Sequence, residues 1–600
     1  MWSELVSYIP RKGGDVSEHL PIRQSLRNSL QIRLPSANFT GKGVNLFKVS
    51  KKIGIFARYN PLIRETKPTD RENPENMIEE ITLQTDPKTA SDSGALLGEL
   101  SRKLGIAAGE IHDHRIKRRS VDARQEKIKI NLTVIVATGD DLKVAPLHKE
   151  VKYGKVAADA PVMVIVGAGP AGLFAALKCI ERGVKPIVLE RGHDVDTRRL
   201  DIAGISREGR INPVSNYCYG EGGAGAFSDG KLFTRSKKRG NNGEVLQLLV
   251  QFGASENILI DSHPHIGSDR LSAIIKRIRQ TIMESGGEVR FSTCARQLII
   301  ESGEAKGVTT EDGEEIRGAV MLANGHSARE FIKRLHSQGV KMEAKGIAMG
   351  VRLEHPQKLI DRIQYHTPSG RGKYLPAAEY SFVAQSGERG VYSFCMCPGG
   401  VIVPAGSGDE ELVVNGMSAS ARAGEKANSG MVVEIRPGDF PEYSGFGPLE
   451  LLALQEDLEK GMFVAAGNGI NAPAQRMTDF VKGRLSKTLP STSYAPGIHS
   501  GDFNRLLPPF IARRLKEGFE TFGRKRKGFM SEEAILVGLE SRTSSPVRLP
   551  RDRETLEHVE IRNLYPVGEG AGYAGGIVSA AIDGINAAEA YARKIVSNKQ

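Results

Sequence analysis

Cysteine, tryptophan and long apolar segments are scarce in this chain of 600 residues, and each scarcity excludes a class of protein. The five cysteines have neither the density of a disulfide-stabilised secreted domain nor the spacing of a zinc finger. The uncharged run from Pro161 to Leu177 is interrupted by three glycines, and its pattern is that of a strand, a turn and a helix and not of a membrane span. We therefore expect a protein of a reducing compartment, with no bound metal and no integral membrane association.

Acidic residues are missing from His19 to Arg64, where nine lysines and arginines occur. A basic leader that contains serine and lacks acids is typical of organellar transit peptides. Three acids precede this stretch, however, and a basic disordered or polyanion-binding arm is the alternative. We predict that residues 1–78 are a leader and linker. This leader would direct the protein to the chloroplast or to another organelle. Without such targeting we expect a cytoplasmic protein.

Glycine is abundant, with 67 residues, and three of them form the most informative motif. An apolar run from Val162 to Val166 leads into the spacing G-x-G-x-x-G, and a helix follows. The first glycine permits a tight turn, the second lets backbone N–H groups approach a pyrophosphate, and the third lets the helix pack on the strand. We predict that the diphosphate of a dinucleotide is bound by Gly167, Gly169, Pro170, Ala171 and Gly172 at the helix N-terminus.

The second strand of this unit, Pro186 to Leu189, is followed by Glu190 and Arg191. An acidic residue about 20 positions after the first glycine accepts hydrogen bonds from an adenosine ribose in such folds. Glu190 lies at this distance, and we predict that it and Arg191 both contact the cofactor.

The far end of the chain indicates which dinucleotide binds. Residues 563–586 contain a short strand, Gly568-Glu569, a glycine-rich turn and an alanine-rich helix. The stretch resembles the second FAD motif of flavoproteins of the glutathione reductase and p-hydroxybenzoate hydroxylase type, in which an acidic residue after glycine binds the flavin ribitol. Glu569 stands where aspartate is commoner. We predict that the helix N-terminus at Gly575, Gly576 and Ile577 directs its dipole at the flavin and stabilises the reduced ring.

A second glycine-rich segment, Tyr217 to Leu232, repeats the spacing G-x-G-x-x-G, but no strand precedes it, and a second nucleotide fold is not expected. Only glycine allows a backbone to approach a cofactor so closely. We predict that the segment lies against the diphosphate and the flavin, with an ordered surface loop as the alternative. The predicted contacts are Gly222, Gly223, Ala224 and Gly225, with Ser228, Asp229 and Lys231 near the flavin.

Two further cofactor contacts come from comparison with related flavoproteins. Ala295, in a strand predicted from Glu288 to Ile300, offers its backbone to the adenine. The turn Ala323-Asn324-Gly325 is similar to the A-T-G turn of these folds, and Gly325 is a predicted contact. His326 follows this turn and is either a group that faces the ligand or a structural histidine.

Residues 340–555 contain no further phosphate motif, and their alternation favours a mixed or antiparallel sheet. Cys395 and Cys397 share one face of a predicted strand and are candidates for an electron relay. The alternative is two small buried apolar residues, because a C-x-C disulfide closes a strained ring. Residues 540–548 contain two arginines and several hydroxyl groups, which either hold an anionic substrate or the cofactor phosphates, or form a hydrogen-bonded loop.

Residues 79–137 alternate as expected for a small α+β module with an antiparallel sheet. Its basic edge is a candidate RNA-binding surface, and a solvated sheet rim is the alternative because no aromatic platform accompanies it. The edge consists of Arg115, Lys117, Arg118, Arg119 and Arg124.

Several segments, taken in order, resemble one family: GAGPAG, YGEGGAGAFSDGKL, PHIGSDRL, NGHSARE, EAKGIAMGVRLEHPQ, SFCMCPGG, NGMSASAR, ESRTSSPVR and YPVGEGAGYAGGI. Residues 79–595 are similar to NAD(FAD)-utilising dehydrogenase-like flavoproteins of bacteria and plastid-bearing eukaryotes, an uncharacterised FAD-dependent dehydrogenase family. The resemblance implies an α/β fold with a discontinuous, Rossmann-like FAD-binding domain of the glutathione reductase type. This domain would comprise residues 151–339 and 556–600, with an inserted mixed α+β substrate domain at 340–555 and a small α+β module at 79–150. It implies no particular substrate.

These patterns predict an FAD-dependent oxidoreductase that exchanges hydride between flavin and an unidentified organic substrate. The net charge of +12 favours an anionic ligand. With no second dinucleotide motif, NAD(P)H is expected only as a transient electron donor or acceptor. The alternatives are a flavin-dependent RNA-modifying or RNA-associated protein that uses the basic module, and a noncatalytic FAD-binding protein.

Overall fold

The structure is a computed structural model that describes residues 77–138, 142–233 and 240–598. Nearly all of the predicted leader lies outside these residues, and its organellar address stays a prediction. The fold is of mixed α/β content with several sheets, as predicted. In the described segments, no helix is both long enough and apolar enough to cross a membrane.

The N-terminal module is a three-stranded antiparallel sheet packed on an amphipathic helix. It comprises β1 (Ile78–Thr85), α1 (Pro87–Ser91), α2 (Ser93–Leu104), β2 (Asp113–Asp122) and β3 (Lys129–Ala137), with the strand order β1-β3-β2. Alternate side chains of β3, such as Leu132 and Val134, are buried with Leu96 and Leu100 of α2. The elements follow the predicted order.

The next part of the chain contributes four strands of a parallel sheet, several helices and a small antiparallel sheet. Its elements are β4 (Val162–Val166), α3 (Pro170–Glu181), β5 (Lys185–Leu189), α4 (Val195–Glu208), α5 (Asn242–Gln251), α6 (Asn257–Ile260), α7 (Ser268–Glu284), β6 (Glu288–Arg290), β7 (Ala295–Glu301), β8 (Glu304–Thr310), β9 (Glu315–Arg317), β10 (Ala319–Leu322) and α8 (Arg329–Ser337). In β4, Met163 and Ile165 pack in the layer that contains α3 and α7, whereas Val164 and Val166 pack with β7, β8 and α8. Because β4 is buried on both faces, the turn that follows it has a fixed position.

The predicted strand from Glu288 to Ile300 is wrong, because the chain turns within it. β6 is the edge strand of the parallel sheet, whereas β7 pairs with β8 in a separate antiparallel sheet, β7-β8-β9. Between them, Ser292 has a φ of 51°, a left-handed conformation that reverses the chain locally. The turn contains neither glycine nor proline, so no sequence signal marked it.

The following part forms a larger sheet. Its elements are β11 (Glu343–Ala344), β12 (Ile347–Pro356), α9 (Gln357–Tyr365), β13 (Val383–Ser386), β14 (Arg389–Cys397), β15 (Val401–Pro404), β16 (Val414–Met417), β17 (Lys426–Ile435), α10 (Glu450–Ala465), β18 (Ala472–Arg476), α11 (Met477–Val481), β19 (Ile498–Ser500), α12 (Phe503–Leu506), α13 (Pro509–Lys525), β20 (Ile535–Glu540) and β21 (Val547–Arg548). The mainly antiparallel sheet has the strand order β13-β14-β17-β12-β20-β18-β19. Val351 and Leu353 of β12 belong to the core that α13 covers, and Arg352 between them points to the opposite, polar face.

The last part of the chain returns to the parallel sheet. β22 (Leu564–Pro566) pairs with β10, which gives the strand order β22-β10-β4-β5-β6, and α14 (Ile577–Ser597) packs on α3. A Cβ built on Gly584 would lie 2.0 Å from the carbonyl oxygen of Ala171, so the two helices touch backbone to backbone. Segments from distant parts of the sequence therefore meet at the N-terminus of α3.

A buried ion cluster joins the parallel sheet to the larger sheet. Glu459 of α10 accepts hydrogen bonds from Arg329 of α8, at 2.6 and 2.7 Å, and from Arg542 after β20, at 2.7 Å. Burial acts to raise the pKa of Glu459, but the two guanidinium groups outweigh it and hold this pKa well below its usual range. Because loss of one partner leaves an uncompensated buried charge, the cluster constrains how the two sheets pack.

We predict that Glu459→Gln lowers the free energy of unfolding by about 3–5 kcal/mol, because Arg329 and Arg542 lose their shared countercharge inside the protein. The matched control is Glu456→Gln on the same helix. Glu456 pairs with Lys333 of α8 at 2.8 Å, but both side chains are partly exposed, and its loss should cost less than about 1 kcal/mol. Urea unfolding followed by far-UV circular dichroism measures both changes. Equal losses in the two variants would contradict the role of the buried cluster.

Candidate functional site

The glycine turn after β4 is built from contacts that exclude side chains. Gly167 has a φ of 109°, and a Cβ built on it would lie 2.5 Å from the carbonyl oxygen of Ala323, in the turn after β10. A Cβ on Gly172 would lie 2.0 Å from the carbonyl oxygen of Gly167. A Cβ on Gly169, in contrast, would come no closer to the described protein than the Cα of Gly223, at 3.9 Å. The space at Gly169 is therefore open, where the first N–H groups of α3 lack intrahelical partners.

Glu190 is buried at the end of β5 and connects three backbone segments. Its carboxylate accepts hydrogen bonds from the N–H groups of Ala168, Gly192 and Gly220, each at 3.0 Å. These bonds hold the glycine turn against the second glycine-rich segment. A carboxylate has about four acceptor positions, so Glu190 retains capacity for a ribose hydroxyl. The neighbouring guanidinium of Arg191 lies 4.1 Å from the ring centre of Tyr219.

The second glycine-rich segment lies between the N-termini of α3 and α14. A Cβ built on Gly223 would lie 3.1 Å from the Cα of Gly169, and one on Gly225 would lie 3.1 Å from Cγ1 of Ile577. The predicted contacts Gly222, Gly223, Ala224 and Gly225 thus form one stretch of backbone beside the first glycine turn. Ala224 is within the short 3₁₀ turn Gly223–Gly225.

Arg198 of α4 binds the backbone of this segment through its guanidinium. Its side chain is fully buried, and its guanidinium donates to the carbonyl oxygens of Gly220, Glu221 and Gly223 at 3.1, 2.8 and 2.9 Å. Burial lowers the pKa of Arg198 to about 10. The sequence signal for this residue is weak, because α4 contains several charged residues and only the structure distinguishes the buried one.

The turn after β22 reaches the same place from the other end of the chain. A Cβ built on Gly568 would lie 3.0 Å from the Cβ of Ala171, in the first turn of α3. A Cβ on Gly570 would lie 2.5 Å from the carbonyl oxygen of Gly325, in the turn after β10. The turns after β4, β10 and β22 therefore touch one another, and Glu569 between the two glycines faces the resulting cleft half-buried.

His326 is buried beside Glu569. Its Nδ1 lies 3.2 Å from Oε1 of Glu569 without forming a hydrogen bond, and its Nε2 likewise has no hydrogen-bond partner among the described residues. A buried polar atom without a partner costs free energy that a ligand or a water molecule can recover. Lys345 adds positive charge nearby: burial and Arg548 lower its pKa to about 8, against an opposing effect of Glu569. The surroundings of Glu569 are thus polar and incompletely satisfied.

The remaining predicted contacts lie around this cleft. Gly575 is exposed, with no atom within 4 Å of a Cβ built on it, and Gly576 precedes α14 without a side-chain cap. The first N–H groups of α14, from Ile577 onward, therefore lack intrahelical partners. Ala295 is buried at the start of β7. It lies close to Glu190, because two residues before it the N–H of Thr293 donates to the carbonyl oxygen of Glu190 at 2.9 Å.

Cys395 and Cys397 lie on the polar face of the larger sheet, together with Lys231. The Sγ of Cys397 lies 3.4 Å from Nη2 of Arg352 and 4.0 Å from Nζ of Lys231. Arg352 is fully buried and pairs with Glu540 at 3.0 Å. Because Lys231 belongs to the second glycine-rich segment, the structure brings that segment and the two thiols together.

Arg352 was not predicted as a site residue, although β12 carries a signal for it. Arg352 and Glu354 alternate with Val351 and Leu353, which indicates a strand whose second face is charged. Both charged side chains are fully buried. A charged face on a central strand must be paired or functional, and that rule would have identified it.

Residues 540–548 are engaged within the protein. The guanidinium of Arg542 bonds Glu459 and the hydroxyl of Ser407, at 2.7 Å each. Ser545 donates to the carbonyl oxygens of Val547 and Gly570, at 3.0 and 3.1 Å. These contacts are those of a hydrogen-bonded loop around Arg542 and Ser545, whereas Nε of Arg548 is buried and has no hydrogen-bond partner among the described residues. Arg542 is therefore not available to bind an anionic substrate.

The basic edge of the N-terminal module is largely paired with acids. Lys117 pairs with Glu80, Arg119 with Asp261 at 2.7 Å, and Arg124 with Asp122 at 2.6 Å. The pairs with Glu80 and Asp122 are exposed at least in part, whereas Arg119 connects the module to the end of α6. RNA binding by this edge stays a prediction, and these contacts do not favour it.

Three parts of the chain match known protein families. Residues 346–543 match a family described as "FAD-dependent protein, C-terminal domain-like". Residues 163–204, which contain the first glycine turn and Glu190, match an FAD binding domain. Residues 77–137 match a domain of unknown function.

Two curated proteins and three solved structures are similar to parts or most of the chain. An uncharacterised protein of Clostridium beijerinckii is 40% identical over 529 residues, which cover 85% of this chain and 97% of that protein. A 4,4'-diapophytoene desaturase of a Methylomonas species is 36% identical over 66 residues, 10% of this chain and 13% of that protein.

The solved structures are more distant. A geranylgeranyl bacteriochlorophyll reductase-like protein of Thermoplasma acidophilum has a TM-score of 0.31 at 14% identity, over 73% of this chain and 80% of that one. E. coli quinol fumarate reductase has a TM-score of 0.32 at 12% identity, over 73% of this chain and 71% of that one. A 3-ketosteroid-delta4-(5alpha)-dehydrogenase of Rhodococcus jostii has a TM-score of 0.30 at 14% identity, over 74% of this chain and 99% of that one. Similarity this low assigns no activity to the chain.

The near full-length match to the Clostridium protein and the two FAD-related family matches agree with one another. They confirm the family resemblance predicted from the sequence segments. The chain therefore belongs to an uncharacterised family of FAD-dependent proteins, and FAD is its cofactor.

Proposed function

We propose that this protein is an FAD-dependent oxidoreductase that exchanges hydride between flavin and a small organic substrate. One observation carries the proposal. The turns after β4 and β22, from distant parts of the sequence, meet at the first turn of α3 and leave an open space beside Gly169. A single dinucleotide that reaches from Gly169 to Glu569 accounts for both turns.

The diphosphate would bind at the N-terminus of α3. The backbone there approaches without side chains at Gly167, Gly169 and Gly223, and the helix dipole favours negative charge. Glu190 would accept a ribose hydroxyl while it holds the two glycine segments together. Ala295, close to Glu190 in space, would offer its backbone to the adenine.

The flavin end would bind toward Glu569. The carboxylate of Glu569 would accept hydrogen bonds from the ribitol chain, and Nε2 of His326, which has no partner among the described residues, would bond the same part of the cofactor. The unpartnered N–H groups at the start of α14 would face the pyrimidine edge of the flavin. FAD supplies hydride acceptance and donation, and these residues orient it.

The substrate would bind between the second glycine-rich segment and the polar face of the larger sheet. Lys231 and Cys395 would line this place, and the buried Arg352 lies behind them, where its guanidinium donates to the carbonyl oxygen of Cys395 at 2.9 Å. The substrate's identity follows from none of these contacts. NAD(P)H is proposed as a transient partner only, because the match to an FAD binding domain covers the single strand-associated dinucleotide motif in the sequence.

The proposal is tested by the visible spectrum of the purified protein and by anaerobic reduction. We expect flavin absorbance that bleaches on addition of NADH, NADPH or a member of a panel of organic reductants, and that returns when an acceptor is added. Bound flavin that none of these reagents bleaches would support a noncatalytic FAD-binding protein instead. A colourless protein that takes up no added FAD would contradict the proposed site.

Substitutions at the first glycine turn separate binding from folding. We predict that Gly169→Ala folds normally, since its Cβ would have 3.9 Å of clearance, but binds FAD at least about tenfold more weakly, or ~1.4 kcal/mol, because the Cβ enters the space of the diphosphate. Gly169→Asp should abolish binding by adding a carboxylate there. Fluorescence titration with FAD measures the affinity, and thermal unfolding of the apoprotein measures the fold.

Two alanine variants serve as controls for this prediction. Gly98→Ala lies in α2, where a Cβ meets nothing within 4 Å. It should leave FAD affinity unchanged and raise the unfolding temperature slightly, because alanine is the better helix former. Gly172→Ala would place its Cβ 2.0 Å from the carbonyl oxygen of Gly167 and should destabilise the apoprotein itself. Unchanged FAD affinity of Gly169→Asp would refute the placement of the diphosphate.

A further inference from the structure

A bulge in β14 brings the two thiols of the C-x-C segment together. β14 pairs regularly with β17 as far as Phe394, and the register shifts before pairing resumes at Cys397. Cys395, within the bulge, has a φ of 43°, a conformation that non-glycine residues seldom adopt. As a result the thiol of Cys397 turns back toward Cys395 and donates to its carbonyl oxygen at 3.3 Å.

The two cysteines differ in exposure. Cys395 is partly exposed, whereas Cys397 is fully buried. In dithiols that exchange with disulfides, the accessible thiol attacks and the second thiol resolves the mixed disulfide. The described residues contain three other free cysteines, Cys179, Cys218 and Cys294, and no second C-x-C pair.

Two cations stabilise a thiolate at this pair. The Cys397 hydrogen bond, the Lys231 ammonium and the Arg352 guanidinium outweigh burial and hold the pKa of Cys395 well below the usual thiol range. The contact with Cys395 and burial raise the pKa of Cys397, which makes Cys395 the more acidic thiol of the pair.

The remaining charged and titratable groups around the pair come from several elements. They are Asp229, which pairs with Lys231 at 3.3 Å and with Arg422; Glu540, which pairs with Arg352; and Tyr380, which is fully buried. Burial raises the pKa of Glu540 to about 7 despite its contact with Arg352. Near neutral pH, Glu540 is therefore partly protonated, and Lys231 and Arg352 provide a net positive environment for the thiolate.

We propose that Cys395 and Cys397 form a redox-active dithiol that reacts with disulfides by thiol–disulfide exchange. The Cys395 thiolate attacks one sulfur of a disulfide R–S–S–R, forms a mixed disulfide and releases RS⁻. The Cys397 thiol then loses its proton and attacks Sγ of Cys395, which releases the second RS⁻. The dithiol gives up two electrons, the two RS⁻ become RSH with one proton from the Cys397 thiol and one from solvent, and the protein keeps an intramolecular disulfide.

This reaction goes beyond the proposed function, because it is complete without the flavin. A disulfide across a single intervening residue is strained, and strained disulfides are the readily reduced ones. The pair would therefore return to the dithiol with mild reductants. Its contact with Lys231 places it where the proposed substrate site lies, so small thiols and disulfides become candidate substrates of the flavin as well.

The test treats the flavin-loaded protein with the disulfide 5,5′-dithiobis(2-nitrobenzoate) at about pH 6, where an ordinary thiol is almost entirely protonated. We expect a fast release of two thionitrobenzoate anions per protein, and intact mass spectrometry should find a product that lacks two hydrogens and carries no adduct. Cys397→Ser should release one anion and retain one adduct at Cys395. Cys395→Ser should lose the fast phase.

Two controls make the outcome specific. Cys294→Ser should keep the fast phase, because Cys294 is only partly buried but burial raises its pKa. Lys231→Met should slow the fast phase by about tenfold at pH 6 and much less at pH 9, since each unit of pKa changes the thiolate fraction tenfold. A fast phase that survives in Cys395→Ser, or a stable adduct on Cys395 in the parent protein, would overturn the proposal.

The flavin spectrum separates this proposal from the proposed function. Each variant is used only if its far-UV circular dichroism spectrum matches that of the parent protein, which shows that it is folded whether or not flavin is bound. Parent protein that binds flavin and shows no fast exchange refutes the dithiol alone. Parent protein that exchanges rapidly but binds no flavin refutes the proposed function alone.

Discussion

Backbone contact at the N-terminus of α3 is the constraint on which the rest of the structure depends. Four glycines there, Gly167, Gly172, Gly570 and Gly584, would each place a Cβ within 2.5 Å of a carbonyl oxygen. No other residue fits at such distances without a shift of the backbone. Three loops and two helices can therefore meet around one small volume, and a flat dinucleotide can reach all of them.

Local patterns were sufficient to predict the parallel unit. The bounds of β4 and β10, the start of α3 and the start of α14 agree with the sequence, because each combines a buried apolar run with glycine at its end. The break between β6 and β7 was missed, since Ser292 adopts its left-handed conformation without a glycine to mark it. Arg198 and Glu459 could not be predicted either, because only tertiary packing distinguishes a buried ion pair from a surface one.

In the candidate site, too, some features could be predicted from the sequence and others could not. Glycines that need particular backbone conformations are visible in a sequence, and the contact between the turns of β4 and β22 was expected from them. The environment of Cys395 was not. It depends on the bulge in β14, on Lys231 from a distant loop and on Arg352 from a neighbouring strand. Buried charges in such places cost free energy unless they are paired, and here each is paired across elements that must all be in position.

The place of β22 in the parallel sheet has a consequence for biosynthesis. Domains generally fold from the N-terminus while the ribosome is still adding residues. In this protein one edge of β10 stays unpaired until β22, more than 200 residues later in the chain, has left the ribosome. Exposed strand edges promote association between chains. The nascent polypeptide must therefore remain protected between the synthesis of β10 and that of β22, and it gains the ability to hold its cofactor only when β22 has joined the sheet.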